Sequence, residues 1–389
     1  MSIFNSLGSN YNLGFAIKAL LGGAGSNLKE LLERRYGGQT VLLFKGRQTI
    51  TLALKSLELP KDSEIVINGF TCYAVYKAIK EAGCRPILID IPKDDLNFSP
   101  QALKEKFNNK TKAVIVQNTL GYPCDIEEIT KICKEKGLIL IEDIAHSAGS
   151  VYKNGKQVGT VGDITILSFS QDKIIDGISG GALIIRNSEF RIQNSEFSDP
   201  SLKKQVLDCF YPLLTLLIRS TYNLGMGKLL HYLLKKTNVL SMPMDDSLYG
   251  LISLPKSYQS LALYSLENLK NDIGHRRKIA KIYKENLPSE ILFEKITSLI
   301  DSSSNLRFPI FLDNCDGLIR HLRNNGFHLS DIWYDAPISP KRFMEKVDYG
   351  NDCPNAQEIS QKIVNLPTHK NISEKQALYL SKLITEWLR

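Results

Sequence analysis

Two stretches, LILIED (138–143) and ITILSFSQDK (164–173), decide how this chain folds. Each begins as an unbroken apolar run rich in β-branched residues and ends in ionisable or polar side chains. Continuous rather than alternating hydrophobicity marks a strand covered on both faces, as in a parallel sheet between helices. In such sheets ligands collect outside the carboxyl ends of the strands. Asp143 and Lys173 both fall there. An acid at the mouth of an apolar strand costs desolvation unless something uses it; it serves either as a helix N-cap or as a carboxylate aimed at a ligand. A lysine just past a strand lies in the ligand crevice rather than on an outer helix face. A buried amine of lowered pKa is what imine formation requires, whereas a lysine without that context is usually a surface residue.

Outward from these stretches the same rhythm continues. Strands are predicted at 64–68, 86–90, 112–117, 138–142, 164–168 and 182–185, with helices at 72–82, 99–107 (Ser99 as N-cap) and 126–136 between them. Strand–helix alternation of this kind gives an α/β fold with a mainly parallel sheet. A leucine- and tyrosine-rich helical stretch then interrupts it. A single amphipathic helix is expected from 255 to about 287, a strand at 306–312 and a last helix at 373–388. The division is an N-terminal segment (1–37), a large α/β domain (38–188), a helical insertion (189–254) and a small C-terminal α+β domain with its linking helix (255–389).

Composition narrows the class. Of 389 residues, 43% are hydrophobic and 23% charged, which is globular. The net charge of +8 is spread in short clusters, unlike the basic strip of a nucleic-acid binder. The seven cysteines (72, 84, 124, 133, 209, 315, 353) are odd in number and show no CxxC spacing. That argues against a disulfide framework or a metal site and for a reducing cytoplasm. The N-terminus lacks the pattern of a secretory signal, and no run reaches the roughly 18 apolar residues of a spanning helix. Two weaker signals remain: GISGG (177–181), whose glycines permit a tight turn beside a ligand, and KGRQT (45–49), where a glycine opening a helix can offer backbone N–H groups to a phosphate.

Together, IEDIAHSAGS (141–150), GTVGDITILSFSQDKII (159–175), SGGALI (179–184), GFTCYAVYKAIKEAGCRPILIDI (69–91), LGYPCDIEEI (120–129) and NLPTHKNISEKQ (365–376) resemble the DegT/DnrJ/EryC1/StrS aminotransferases. The resemblance spans about 38–187 and 255–389. It implies pyridoxal-phosphate-dependent transferase fold type I, a homodimer, and amino transfer from glutamate to a keto sugar, usually nucleotide-linked, in amino-sugar and surface-polysaccharide synthesis. It implies pyridoxal 5′-phosphate joined to Lys173 as a Schiff base, with Lys173 also moving protons. Asp143 would pair with the pyridine nitrogen and keep the ring an electron sink. His146 would approach the cofactor, and Ser168 with Gly46, Arg47 and Gln48 would hold its phosphate.

The chain departs from the family pattern in places. The position that usually stacks an aromatic ring on the cofactor aligns with Cys72, so Tyr73 or Phe70 is expected to take over. Lys45 and Arg47 replace small residues, and Ser179 replaces an acid. Ser253-Leu254-Pro255-Lys256 stands where the family has an Asn-x-Arg-Met segment reaching into the neighbouring subunit. The insertion either buries its leucines or, through 205–240, touches a membrane surface. An aminotransferase for a non-nucleotide or lipid-linked substrate, and a silent regulatory or scaffold relative, are the alternatives. Related dehydratases tend to lack the lysine, which this chain has.

Overall fold

A computed structural model of the chain describes residues 2–23, 27–187, 190, 197–237, 239–240, 250–329 and 333–389. Its centre is a seven-stranded sheet. In chain order the strands are β1 (Gln39–Leu43), β2 (Glu64–Asn68), β3 (Arg85–Ile89), β4 (Thr111–Gln117), β5 (Ile139–Asp143), β6 (Ile164–Ser168) and β7 (Gly181–Ile185). In space they run β1-β7-β6-β5-β4-β2-β3. Strands β2 to β6 pair in parallel, and β7 is antiparallel to both of its neighbours.

The unbroken apolar runs are explained by what covers them. Successive side chains of a strand point to opposite faces. Val66, Val114, Leu140, Leu167 and Ile184 enter one core; Ile65, Ile115, Ile141, Ile166 and Leu183 enter the other. Both faces are dry, so both sets must be apolar. Strand and helix limits fall within one residue of the sequence expectation in this half of the chain. Strand β1 has no distinctive pattern of its own and is recognisable only once paired.

The linking helix departs from expectation: it is two helices, Lys256–Glu267 and Leu269–Asn286, divided at Asn268. The Asn268 side chain donates to Tyr264 O at 2.8 Å. A short polar side chain competing with the backbone ladder disfavours helix continuation. Beyond it, β8 (Phe308–Phe311) pairs antiparallel with β9 (Ile363–Leu366). The last helix, Glu374–Leu388, starts at a Ser373/Gln376 capping box.

The N-terminal segment is stitched into the fold. Ile3–Phe4 pairs in parallel with Phe327–His328. Helix α1 (Leu13–Leu21) packs on α3 (Leu202–Thr221), which a short turn joins to α4 (Met226–Lys236); α2 (Gly46–Ser56) follows β1. Within α3, buried Asp208 accepts from Lys204 Nζ at 2.6 Å and Tyr258 Oη at 2.9 Å, tying the helix to the body. Residues 189, 191–196, 238 and 241–249 of the expected insertion, and residue 188 just before it, lie outside the described residues.

Candidate active site

After β6 the chain makes a turn that presents Lys173. Asp172 has φ 62°, a left-handed conformation that a short polar residue tolerates better than most. The N-terminal segment holds it there. Ser9 donates to Asp172 Oδ1 through its backbone N at 2.8 Å and its hydroxyl at 2.7 Å. Asp172 N donates to Asp176 Oδ2 at 2.7 Å. Asp176 also accepts from Tyr11 Oη at 2.9 Å, Ile178 N at 2.9 Å and Asn10 Nδ2 at 3.1 Å. Asn10 Nδ2 also donates to Lys173 O at 2.8 Å. Burial, then the neighbouring Asp172, pushes the Asp176 carboxyl up to about 7.

The Lys173 amine has no ion-pair partner among the described residues. It meets His146 Nε2 at 2.8 Å and lies 4.4 Å from the centre of the Trp333 ring. Burial lowers its pKa, and Arg307 acts in the same sense; Cys72 and Asp143 oppose. Burial, with Lys173 and Arg307, holds His146 well below its ordinary value. The tautomer follows from the network: Leu120 N donates to His146 Nδ1 at 3.3 Å, so the proton of the neutral ring sits on Nε2. An Nε2–H facing the amine requires a lone pair there. In this tautomer His146 Nε2–H donates to the Lys173 amine, whose pKa burial lowers toward the uncharged form a nucleophilic amine needs.

Adjacent acids on β5 have separate fates because they face opposite ways. Glu142 is fully buried and accepts from Gly159, Val161 and Gly162 N–H groups and from Tyr152 Oη, all within 2.8 Å. It fastens the 150–162 turn to the sheet. Asp143 accepts from Ala145 N at 3.0 Å, and burial raises its pKa against the pull of that N–H and Lys173. It caps a turn with one oxygen and lines the cavity. Gln117, its register partner at the end of β4, lines it too.

The cavity has a volume of about 610 Å³, and its wall includes Gly46, Arg47, Cys72, Asp143, His146, Ser168 and Lys173. Helix α2 begins against the end of β6: a Cβ on Gly46 would stand 2.8 Å from Ser168 Cβ, and one on Gly181 would stand 2.7 Å from Gly46 Cα. Both glycines are demanded by this close approach, which brings the α2 N-terminus to Ser168. Three side chains turn away from the cavity, although Gln48 was expected to act only through its backbone N–H. Gln48 bonds Lys45 N and Gly250 O instead. Tyr73 stacks on Phe343, with ring centres 4.7 Å apart. Phe70 stacks on Tyr334, so neither candidate for the ring-stacking role reaches the cavity. Ser179 donates to Phe44 O at 3.0 Å. Sequence reasoning missed Trp333, Tyr334 and residues 9–11. The tandem aromatic pair was a usable signal; nothing in the sequence marked Ser9 or Asn10.

A mainly parallel α/β sheet with a buried lysine after one strand, a carboxylate after its neighbour and a helix N-terminus beside them defines a cofactor-dependent transferase. The chain belongs to the DegT/DnrJ/EryC1/StrS aminotransferase family, whose profile matches residues 34–224 and 256–384. It is 26% identical over 352 residues to GDP-perosamine synthase of Escherichia coli O157:H7, covering 88% of this chain and 84% of that one. It is 33% identical over 358 residues to a pleiotropic regulatory protein of Geobacillus stearothermophilus, covering 88% and 83%. The fold matches that of Helicobacter pylori PseC, an aminotransferase involved in the biosynthesis of pseudoaminic acid, with TM-score 0.72 at 19% identity over 99% of both chains. The protein is an aminotransferase of this family.

Proposed function

We propose that the chain moves an amino group from glutamate to the carbonyl carbon of a nucleotide-linked keto sugar, with pyridoxal 5′-phosphate bound at Lys173. The observation that carries this reading is the buried Lys173 amine facing His146, with no carboxylate paired to it among the described residues. The residues fit the cofactor's three functional ends: an amine for its aldehyde, Asp143 for its ring nitrogen, and the Gly46 N-terminus with Ser168 and Arg47 for its phosphate. When bound, the cofactor supplies an electron sink for the carbon that exchanges its amine.

The protein's own groups do the rest. Lys173 Nζ would hold the cofactor through its aldehyde and, as a free amine beside the substrate, would move a proton to and from the substrate carbon. His146 Nε2–H orients that amine. Asp143, desolvated, holds a proton on the facing ring nitrogen more strongly than it would in water. Trp333 covers the lysine. The expected domain division puts the cavity between the large domain (38–188) and the C-terminal part (255–389), with the insertion at its mouth. Among the described residues no helix is long and apolar enough to cross a membrane, and we place the enzyme in the cytoplasm as a homodimer.

The test is the visible absorption of purified protein titrated with pyridoxal 5′-phosphate. Wild type develops a lysine-bound band that glutamate removes, and Lys173→Ala develops neither. A band of equal strength in Lys173→Ala sinks the assignment.

A second surface reading rests on helices α1, α3 and α4. Leu21, Leu202, Leu224, Leu229 and Tyr232 are all more than half exposed. The only acid of these helices, Asp208, is buried, while Lys203, Lys228, Lys235 and Lys236 on the same helices are exposed. An apolar face rimmed by cations complements an anionic lipid surface, whereas self-pairing would oppose like charges. The enzyme should sediment with phosphatidylglycerol vesicles and not with phosphatidylcholine ones. Leu229→Glu/Leu233→Glu should abolish this. Wild type that ignores both vesicles, with self-association lost in the double variant, gives the face to a second copy.

A further inference from the structure

The cavity around Lys173 extends to a second wall that amino transfer does not use. Phe4, Tyr222, His231, Lys235, Arg323 and His328 form it. The Phe4 and His328 rings stack 4.4 Å apart, and Tyr222 meets them edge-on at 4.9 and 4.7 Å. This packing fixes His328, which is only 8% exposed and whose Nε2 has no hydrogen-bond partner among the described residues.

The charges around it are of one sign. Arg323 and Lys228 repel a proton from His328, which burial and these two cations hold down to about 4. Lys235 does the same to His231. Asp143 and Asp172, the acids of the cavity wall, act on neither ring, and Asp172 is already engaged by Ser9. Among the described residues Lys228, Lys235 and Arg323 have no ion-pair partner. Like charges gathered at one wall of a cavity, beside an unsatisfied buried imidazole, raise the local positive potential and favour an anion there. An anion in the cavity would relieve all of them at once.

We propose that this wall is the subsite for the diphosphate of the sugar substrate, assembled within one chain from α4, Tyr222 and the His328 segment. The proposal rests on the sugar-aminotransferase reading and names the anionic part of that substrate. Two features favour a diphosphate over a phosphate monoester. The cations are distributed over α4 and over the Arg323–His328 segment rather than converging from one element. A monoester phosphate already has its own place at Gly46 and Ser168, at the Lys173 loop. A diphosphate linking a sugar to a nucleoside and one linking it to a lipid share this chemistry.

The experiment is calorimetric titration of inorganic pyrophosphate into full-length protein saturated with pyridoxal 5′-phosphate, so that the Gly46 cradle is filled. Wild type should bind one equivalent. Lys235→Ala and Arg323→Ala should each weaken binding at least tenfold, as loss of a charge-assisted contact does. Lys203→Ala, an exposed cation outside the cavity, should change nothing. The lysine-bound absorption band, unchanged in these variants, shows that they fold; its absence in wild type would count against the cofactor reading, and loss of pyrophosphate binding in Lys235→Ala and Arg323→Ala would then separate this wall from the open Gly46 cradle. UDP or GDP binding more tightly than pyrophosphate, with the same two variants weakened, assigns a nucleotide. Farnesyl diphosphate doing so assigns a lipid. No saturable pyrophosphate binding by wild type, or binding unaltered in both variants, overturns the proposal.

Discussion

Tyr11→Phe removes one hydroxyl from the network behind Lys173 and leaves the packing volume unchanged. Tyr11 is fully buried, and its Oη donates to Asp176 Oδ1 at 2.9 Å. The Asp176 carboxyl, pushed up to about 7 from an ordinary 3.8, is protonated more readily in the folded chain than in the unfolded one. Between those values the folded state binds more protons, so stability falls as pH rises from about 4 to about 7 and is flat above. At about 1.4 kcal/mol per unit, that loss is on the order of 4 kcal/mol. The Tyr11 hydroxyl limits it by favouring the ionised carboxylate. Without the hydroxyl the Asp176 pKa rises further, and the decline continues past pH 7. A hydrogen bond to an uncharged partner contributes about 1 kcal/mol and one to an ion about 2. Tyr11→Phe should therefore cost about 1 kcal/mol at low pH and about 2 kcal/mol at high pH. With an unfolding entropy of roughly 0.8 kcal/mol/K for a chain of this length, Tm should drop by about 1 °C at pH 5.5 and by about 2–3 °C at pH 8.5. Thermal melts of both proteins at both pH values decide it. An equal drop at the two values would refute the argument, since it would mean that Asp176 is in one protonation state throughout.

Two further perturbations probe the site. Asp143→Asn should bind pyridoxal 5′-phosphate more weakly and slow amino transfer by orders of magnitude in single-turnover assays; an unchanged rate would reduce Asp143 to the cap it provides for Ala145 N. Gly46→Ala places a methyl 2.8 Å from Ser168 Cβ, which forces α2 away from β6. Cofactor affinity should fall at least tenfold with the circular dichroism spectrum retained, and an unaltered affinity would show that the α2 N-terminus does not hold the phosphate.

Much of the large domain was legible because its signal is local. A strand dry on both faces must be apolar throughout, and 138–143 and 164–168 state this directly, along with the residues that end them. The end of β6 placed Lys173, and the end of β5 placed Asp143. Gln117, at the end of β4, obeyed the same rule and was passed over because an amide is less conspicuous than a charge. The break at Asn268 was not legible: amphipathic periodicity runs straight through it, and the interruption is one side-chain hydrogen bond.

The sequence by itself determined the strands, their mainly parallel α/β class, the family and the position of the lysine after its strand, since each depends on residues near one another in the chain. Tertiary structure alone decided what surrounds that lysine. Ser9, Asn10 and Tyr11 fix its loop from more than 160 positions away. Trp333 covers it from the C-terminal half, and α4 meets His328 across the cavity mouth. Such contacts join residues whose own neighbours in sequence are ordinary. No pattern of spacing could have announced them, because the chain pays their entropy only when the whole fold closes.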